Sequence, residues 1–385
     1  MRVLFLAPQP FFVERGTPIA VKLAVAALCG AGHHVDLVTF HGGSDVRIDN
    51  LRHFRITKPP FIDRVPIGFS FSKIICDLWL AASAYRLIRT GRYDVVHAVE
   101  EAVFLALAAR PFKRFQLVYD MDSLMSDQLV EKWSWLRPLR PILAWWEHFA
   151  VKRADLVLPV CRSIADRIAP FAHPRRLHLM PDAVLEQSEG STAPIEDLRA
   201  GFSVTGALML YVGNLEVYQG LDLLLEGLAL LPPADRCHVV IIGGSDAAVA
   251  QYVDRVSRLD LGSHVHLAGP RPLALLSSYL AQADILCSPR LKGVNTPMKI
   301  YSYMASGRAI LATDILSHTQ VLDDSTALLV RPTPEGLARG IQKLLQDPGH
   351  RARIGQNAAA RARSAYSVPV FRRRLEEAYA CLGTG

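Results

Sequence analysis

The sequence predicts an α/β protein of two domains, each an open parallel sheet covered by helices on both faces. Three observations carry that prediction. Short apolar runs alternate with stretches of helical apolar spacing from one end of the chain to the other, which is the signature of repeated strand–helix–strand units. The 385 residues exceed what a single hydrophobic core usually serves. The alternation lapses once, between residues 181 and 205, into DAVLEQSEGSTAPIEDLRAGFSV, rich in Ser, Gly, Glu and Pro, where an interdomain hinge belongs.

In the first half, residues 3–7 read as a buried strand and 19–28 as the helix after it, closed by Gly30 and Gly32. Strand 34–39, a long helix at 72–89, and strands at 94–98, 116–119, 155–160 and 177–180 complete that half. The second half opens with strand 208–212, followed by helix 221–231, strand 238–243, helix 247–259 and strand 264–267. Then comes the most informative stretch, ADILCSPRLKGVNTPMKIYSYMASGRAILAT, which reads as strand, polar loop, helix, Gly stop and strand. A strand at 327–330 and helices at 334–346, 351–365 and 368–382 close the chain. No short repeat or low-complexity tract interrupts this order.

Bulk properties narrow the function classes. The formal net charge of +7 favours anionic partners: phosphorylated small molecules, an acidic membrane surface or nucleic acid. Nucleic acid is not expected, because the basic residues do not gather into one groove interleaved with aromatics. The 6 cysteines are scattered and form no CxxC pair, so reduced thiols rather than disulfides or a zinc cluster are expected. The opening MRVLFLAPQP reads as a first strand and not as a signal peptide. No run approaches the roughly twenty apolar residues of a spanning helix. The expected location is the cytoplasm, with any membrane contact peripheral.

Ligands of open α/β sheets bind beyond the carboxyl ends of the strands, and three loops stand out there. QPFFVERGTPIA joins Gly16 to a helix begun by Thr17 and Pro18, offering either a helix N-terminus for a substrate or a turn that needs a Gly. YVGNLEVYQG places Gly213 after a strand and Gly220 before a helix. In the third loop, Arg290, Lys292 and Lys299 surround a helix start that Thr296 is expected to cap and Pro297 to open, with Gly307 as its stop. Cations facing unpaired backbone N–H groups make an anion site, and phosphate is the expected guest.

Carboxylates are the other candidates. Asp120 and Asp122 end a predicted strand, where they either line a site or cap the next segment; His97, Glu100 and Glu101 end the preceding strand. The chain has no GxSxG, HExxH, GxxxxGK[ST] or GxGxxG, which argues against an α/β hydrolase, a zincin, a P-loop ATPase and a dinucleotide oxidoreductase.

Taken together, the Gly-containing first loop, VVHA, ADLVLPVCRSIADRI, MPDAV, YVGNLEVYQGLDLLLEGLALL, VVIIGG and SPRLKGVNTPMKIYSYMASGRAILAT resemble glycosyltransferase family 4, whose members have the GT-B architecture. The resemblance implies two Rossmann-like domains with parallel sheets facing across a cleft. It divides the chain into an acceptor-side domain at 1–185, a nucleotide-sugar domain at 186–366 and a helix at 367–385 crossing back to the first. It implies a hexosyltransferase-type enzyme that retains anomeric configuration and needs no metal or other cofactor, with a UDP- or GDP-sugar as donor. The acceptor would be a glycan, a lipid-linked molecule or a small molecule in cell-envelope or polysaccharide biosynthesis. On this reading Gly16, Gly213, Asn214, Gln219, Arg290, Lys292, Asn295, Thr296, Pro297, Lys299 and Ser302 serve the donor, while Asp122 and His97 are catalytic on the acceptor side.

The chain also departs from the family pattern. The paired glutamates usual in that family are Val294 and Ser302 here, its usual Arg and Lys of the glycine loop are Asn214 and Gln219, and Asp122 stands where a His is common. Charge balance then assigns the diphosphate to Arg290, Lys292 and Lys299, with Ser302 meeting a ribose hydroxyl. The missing glutamates also keep open a non-catalytic nucleotide-sugar or glycan-binding subunit, and a changed reaction such as epimerisation or phosphorolysis.

Residues 131–153, EKWSWLRPLRPILAWWEHFAVKR, hold four tryptophans among five Lys or Arg. On a helix from Pro138 onward, Ile142, Trp145, Trp146 and Phe149 share one side, which suits either an interfacial helix on the anionic inner leaflet of the plasma membrane or simple core packing.

Overall fold

A computed structural model describes the chain except residues 15, 64, 66–69, 186–194 and 385 and the side chain of residue 384; most of the predicted hinge therefore lies outside the described residues. The chain forms two units, Met1–Asp182 together with Pro369–Gly385, and Ala183–Val368.

The first unit runs β1 (Arg2–Pro10), α1 (Gly16–Gly30), β2 (His34–Phe40), β3 (Leu51–Arg55), α2 (Phe71–Thr90), β4 (Val95–Val99), α3 (Ala102–Ala109), β5 (Gln116–Met121), α4 (Met125–Lys132), α5 (Arg140–Arg153), β6 (Leu156–Pro159) and α6 (Arg162–Ile168). Its 6 strands are parallel in the order β3-β2-β1-β4-β5-β6. Val3, Leu4, Phe5, Leu6 and Ala7 are all fully buried, as expected of a strand whose alternating side chains face helices on both sides. The order reverses between β1 and β4, so the chains leaving these neighbours turn to opposite faces and open a crevice between them.

Two strand assignments change. Residues 177–180 make no strand: Leu177 forms one isolated bridge with Val157, and the amides of His178 and Met180 donate to the carbonyls of Val157 and Pro159 at 3.0 Å. Pro181 follows at once and can donate no ladder bond. Conversely, β3 was not foreseen, because LRHFR is an edge strand whose residues are only partly covered and carry little apolar signal.

The second unit runs α7 (Leu198–Gly201), β7 (Leu208–Val212), α8 (Leu221–Ala229), β8 (His238–Ile242), α9 (Asp246–Arg258), β9 (Val265–Gly269), α10 (Leu276–Gln282), β10 (Ile285–Ser288), α11 (Met298–Ala305), β11 (Ala309–Thr313), α12 (Leu316–Thr319), β12 (Leu328–Val330), α13 (Pro334–Gln346) and α14 (Pro348–Ala365). Its parallel sheet has the order β12-β11-β10-β7-β8-β9, so the reversal falls between β7 and β10. Successive residues divide between two cores: Met209, Tyr211, Val239, Ile241 and Cys287 on one face, Leu208, Leu210, Val240, Leu286 and Ile310 on the other. The last helix, α15 (Val368–Ala380), belongs with the first unit from Pro369 onward. None of the six cysteines forms a disulfide.

Candidate functional site

The reversal point of the second sheet sets the site. The loop after β7 and the loop after β10 meet there: Leu291 N–H donates to Tyr218 O at 2.9 Å, and Gly220, with φ +73°, packs so closely on the Pro289 carbonyl that a Cβ would collide with it. Only Gly meets both conditions at no steric cost. Gly213, also at positive φ, lies beneath a lysine; a Cβ on it would stand 3.3 Å from Lys299 Nζ.

Lys299 is the centre of this arrangement. It projects from the first turn of α11, donates to Gln219 Oε1 at 3.1 Å, and holds its ammonium 4.0 Å above the ring centroid of Tyr211. Burial, and secondarily the nearby Arg290 charge, lower its pKa to about 7. An ammonium so poorly solvated is stabilised by an anion.

Arg290 donates to Lys292 O at 2.7 Å and Asn295 O at 3.3 Å, and its guanidinium lies 5.3 Å from the Tyr218 ring centroid. Thr313 Oγ1 donates to the Arg290 carbonyl, His318 Nδ1 lies 2.8 Å from Thr313 O, and Ser288 Oγ lies 3.0 Å from His318 Nε2. This buried chain ties the loop to β10 and β11.

The helix start differs from expectation. Pro297, extended at ψ 132°, occupies the cap position, and no side chain caps the helix. Thr296 therefore sits one residue too early to reach the first-turn amides. Its buried Oγ1 has no hydrogen-bond partner, and neither has the buried Oγ of Ser302. Two buried hydroxyls without partners, three positions before and three after Lys299 in the chain, are what a ligand with oxygen acceptors would satisfy. The Val294 carbonyl accepts from Gln320 Nε2 at 2.7 Å, while Lys292 and Asn214 are exposed. The structure thus brings Gly213, Gln219 and Lys299 together, with Arg290 near enough for its charge to act on Lys299.

In the first unit the reversal point is acidic. Glu100, just past β4, has φ +49°, a backbone conformation that non-Gly residues adopt at a cost. Burial, with the charges of Asp120, Glu100 and Asp182, pushes the Asp122 carboxyl well above the usual carboxylate range, opposed by a hydrogen bond from Thr17. Burial and the Asp120 charge raise Asp182 to about 7. Gly16 opens α1 beside Thr17, one turn earlier than the apolar spacing suggested.

His97 is corrected. It is fully buried inside β4, stacked on Phe5 at 4.1 Å, with Nδ1 2.7 Å from Tyr379 Oη and Nε2 3.1 Å from Asp120 Oδ2. In this arrangement it holds Asp120 and presents no exposed surface of its own. Sequence reasoning missed Asp182 and Tyr211; their signal was only strand parity and an Asp following Pro181 in MPDAV.

The core alternative for 131–153 is overturned. α5 begins at Arg140 and buries only Glu147, Ala150 and Val151, while Trp135 and Trp145 are 71% and 57% exposed. Among the described residues, no group of three or more His, Cys, Asp or Glu could hold a metal ion, and no helix is long and apolar enough to cross a membrane.

Two family models match the chain: "Glycosyltransferase Family 4" over residues 16–184 and "Glycosyl transferases group 1" over 206–347. Among curated proteins, α-D-kanosaminyltransferase of Streptomyces kanamyceticus is 25% identical over 63% of this chain and 64% of its own. The chain spans about half to two thirds of the length of such relatives. Sucrose-phosphate synthase from Thermosynechococcus elongatus matches over 99% of both chains at 20% identity with a TM-score of 0.80. An Anabaena protein solved with UDP-glucose matches over 99% of both chains at 18% identity with a TM-score of 0.74. The two six-stranded parallel sheets are the GT-B fold of these neighbours.

Proposed function

The chain belongs to glycosyltransferase family 4, and from this we propose that it transfers a sugar from a nucleotide-sugar donor to a hydroxyl of a glycan, lipid-linked or small-molecule acceptor. The Lys299 ammonium, set against Gln219 and Gly213 on a segment that also carries the unsatisfied hydroxyls of Thr296 and Ser302, is the observation that carries the reading.

The donor diphosphate would sit at the start of α11, drawing on Lys299, Arg290 and Lys292, with Asn295 and Pro297 shaping the loop. As the sugar leaves, negative charge gathers on the departing phosphate, and preorganised cations at that point stabilise it. Ser302 and Thr296 would donate to the donor's oxygens. On the family resemblance, these cations supply the charge stabilisation and the configuration is retained. The UDP-glucose held by the Anabaena neighbour makes a UDP-sugar the first donor to test, a GDP-sugar the second.

The acceptor is assigned to the first unit. Asp122, whose carboxyl its buried, acidic surroundings push well above the usual carboxylate range, would donate a hydrogen bond to an acceptor oxygen in its protonated form, while Asp182, near pKa 7, would serve as base. The exposed tryptophans of 131–153 support peripheral contact with the anionic inner face of a membrane, in cell-envelope or polysaccharide synthesis.

A thermal-shift screen of UDP-, GDP- and ADP-sugars tests the reading. One of them should raise the melting temperature, and Arg290→Ala should weaken its binding by about 1.5–3 kcal/mol, the range for a charge-assisted hydrogen bond. Stabilisation by none of them, with no sugar released, would overturn it.

A further inference from the structure

A second row of exposed apolar side chains lies outside 131–153. α2 buries Cys76, Leu80, Ala84 and Ile88. On its other side Phe71, Ile74, Ile75, Leu78 and Trp79 are exposed, Phe71 by 79% and Leu78 by 62%. Their spacing of three and four residues makes one stripe along the helix. A helix apolar on both sides has two partners, and the described chain supplies only one.

The stripe joins the tryptophan segment. α2 packs against α3 and α3 against α5, so the three helices form one layer, and the Phe71 and Trp133 ring centroids are 6.3 Å apart. Cations flank it: Arg86 and Arg89 are exposed at the end of α2, and Lys132, Arg137 and Arg140 are exposed along the segment. Beside α5 opens a cavity of about 500 Å³ whose walls include Arg137, Arg140 and Arg167. Against these three guanidiniums stand two carboxyls, Asp127, which pairs with Arg140 and Arg167, and Glu147, which accepts from Met125 N–H and Ser126 O–H, so the cations outnumber the acids.

We propose that this helical layer is a docking surface for an anionic lipid bilayer, with the α2 stripe and Trp135, Trp145 and Trp146 at the boundary of headgroups and acyl chains, and the arginine-lined cavity receiving lipid phosphate. The proposal deepens the membrane reading of 131–153 and rests on it. Charge selects the bilayer over a second copy of the chain: a self-pairing of this face would oppose like cations, whereas anionic headgroups match them. Tryptophans between an apolar stripe and a basic rim suit the same boundary.

The full chain is tested by flotation with phosphatidylcholine vesicles with and without phosphatidylglycerol, alongside Leu78→Glu, Trp145→Glu and Arg137→Glu. The wild type floats only with phosphatidylglycerol, and each variant, unchanged in melting temperature because its site is exposed, binds at least about tenfold more weakly. Failure of the wild type to bind, or a Leu78→Glu variant that binds equally well, overturns the proposal. So does a concentration-dependent dimer in sedimentation that Leu78→Glu disperses, since the partner is then a second copy. Nucleotide-sugar binding is read separately in the second unit, so vesicle binding without it would leave the docking surface standing and remove the proposed function instead.

Discussion

The Lys299 ammonium stands 3.1 Å from the amide oxygen of Gln219, a neutral partner for a cation taken largely out of water. Burial, with Arg290 adding repulsion, holds this lysine near pKa 7. A bound diphosphate would favour the charged form and raise that pKa, so Lys299 takes up a proton when the donor binds above about pH 7. Donor affinity should be full below pH 7 and fall by up to tenfold per pH unit above it. Calorimetric titration across the range in buffers of different ionisation heat reads both slope and proton uptake; a flat profile would remove Lys299 from the phosphate site.

The same lysine costs the free chain stability. Its folded pKa lies below the unfolded value of 10.5. The unfolded state therefore binds more protons between about pH 7 and 10, and stability rises through that window, with the penalty complete below it. Lys299→Met should raise the melting temperature at pH 6 and abolish stabilisation by the donor. A variant that melts lower and still responds to nucleotide sugar contradicts both halves.

Thr296 and Ser302 offer a cleaner separation of binding from folding, because their hydroxyls satisfy nothing within the free chain. Thr296→Val keeps shape and removes an orphan donor, so the free protein should be unchanged or steadier by about 1 kcal/mol. Donor binding should weaken by about 0.5–1.5 kcal/mol for each hydroxyl lost, Ser302→Ala included. Equal donor-induced melting shifts in wild type and variants would show that the hydroxyls face no ligand.

How far the sequence foretold this depends on which force wrote each feature. Strands at 208–212, 285–288 and 309–313 and the helix at 334–346 fall where hydrophobic periodicity put them, because buried parallel strands and amphipathic helices leave a local trace. β3 left none, since an edge strand owes its existence to β2 beside it. The cations of the third loop were visible as residue types, but the approach of Lys299 to Gln219, separated by 80 positions, follows from the strand order alone. His97 was hard to read for a related reason: its side chain shares a sheet face with Phe5, and only the folded chain reveals that α15 covers that face with Tyr379.

Asp182 titrates where most carboxylates are long ionised. Its folded pKa of about 7 exceeds the ordinary 3.8, because burial and Asp120 disfavour its charge. The folded state then holds a proton that the unfolded state has lost, so stability falls as pH rises from about 4 through 7. Asp182→Asn, neutral at every pH, should raise the melting temperature at pH 8 and leave it nearly unchanged at pH 4. A uniform effect across that range would mean that the carboxyl is not held protonated.

The C-terminal helix should respond most to a single oxygen. A carboxylate only accepts, so the 3.1 Å contact with Asp120 places the proton of His97 on Nε2, and Nδ1 accepts from Tyr379 O–H at 2.7 Å. Every member of this chain is satisfied, and both rings are buried. Tyr379→Phe preserves the packing but leaves Nδ1 without a donor in a site that water does not reach, at a cost of about 1–3 kcal/mol. The loss should be local: faster amide exchange in α15 and in β4 around His97, with exchange in β7 and β10 unchanged. Sugar transfer should fall less than it does for Asp122→Ala, since His97 acts only through Asp120. If α15 exchanges as in the wild type, the hydrogen bond does not hold the helix, and burial of Tyr379, Leu375 and Ala378 alone accounts for its place.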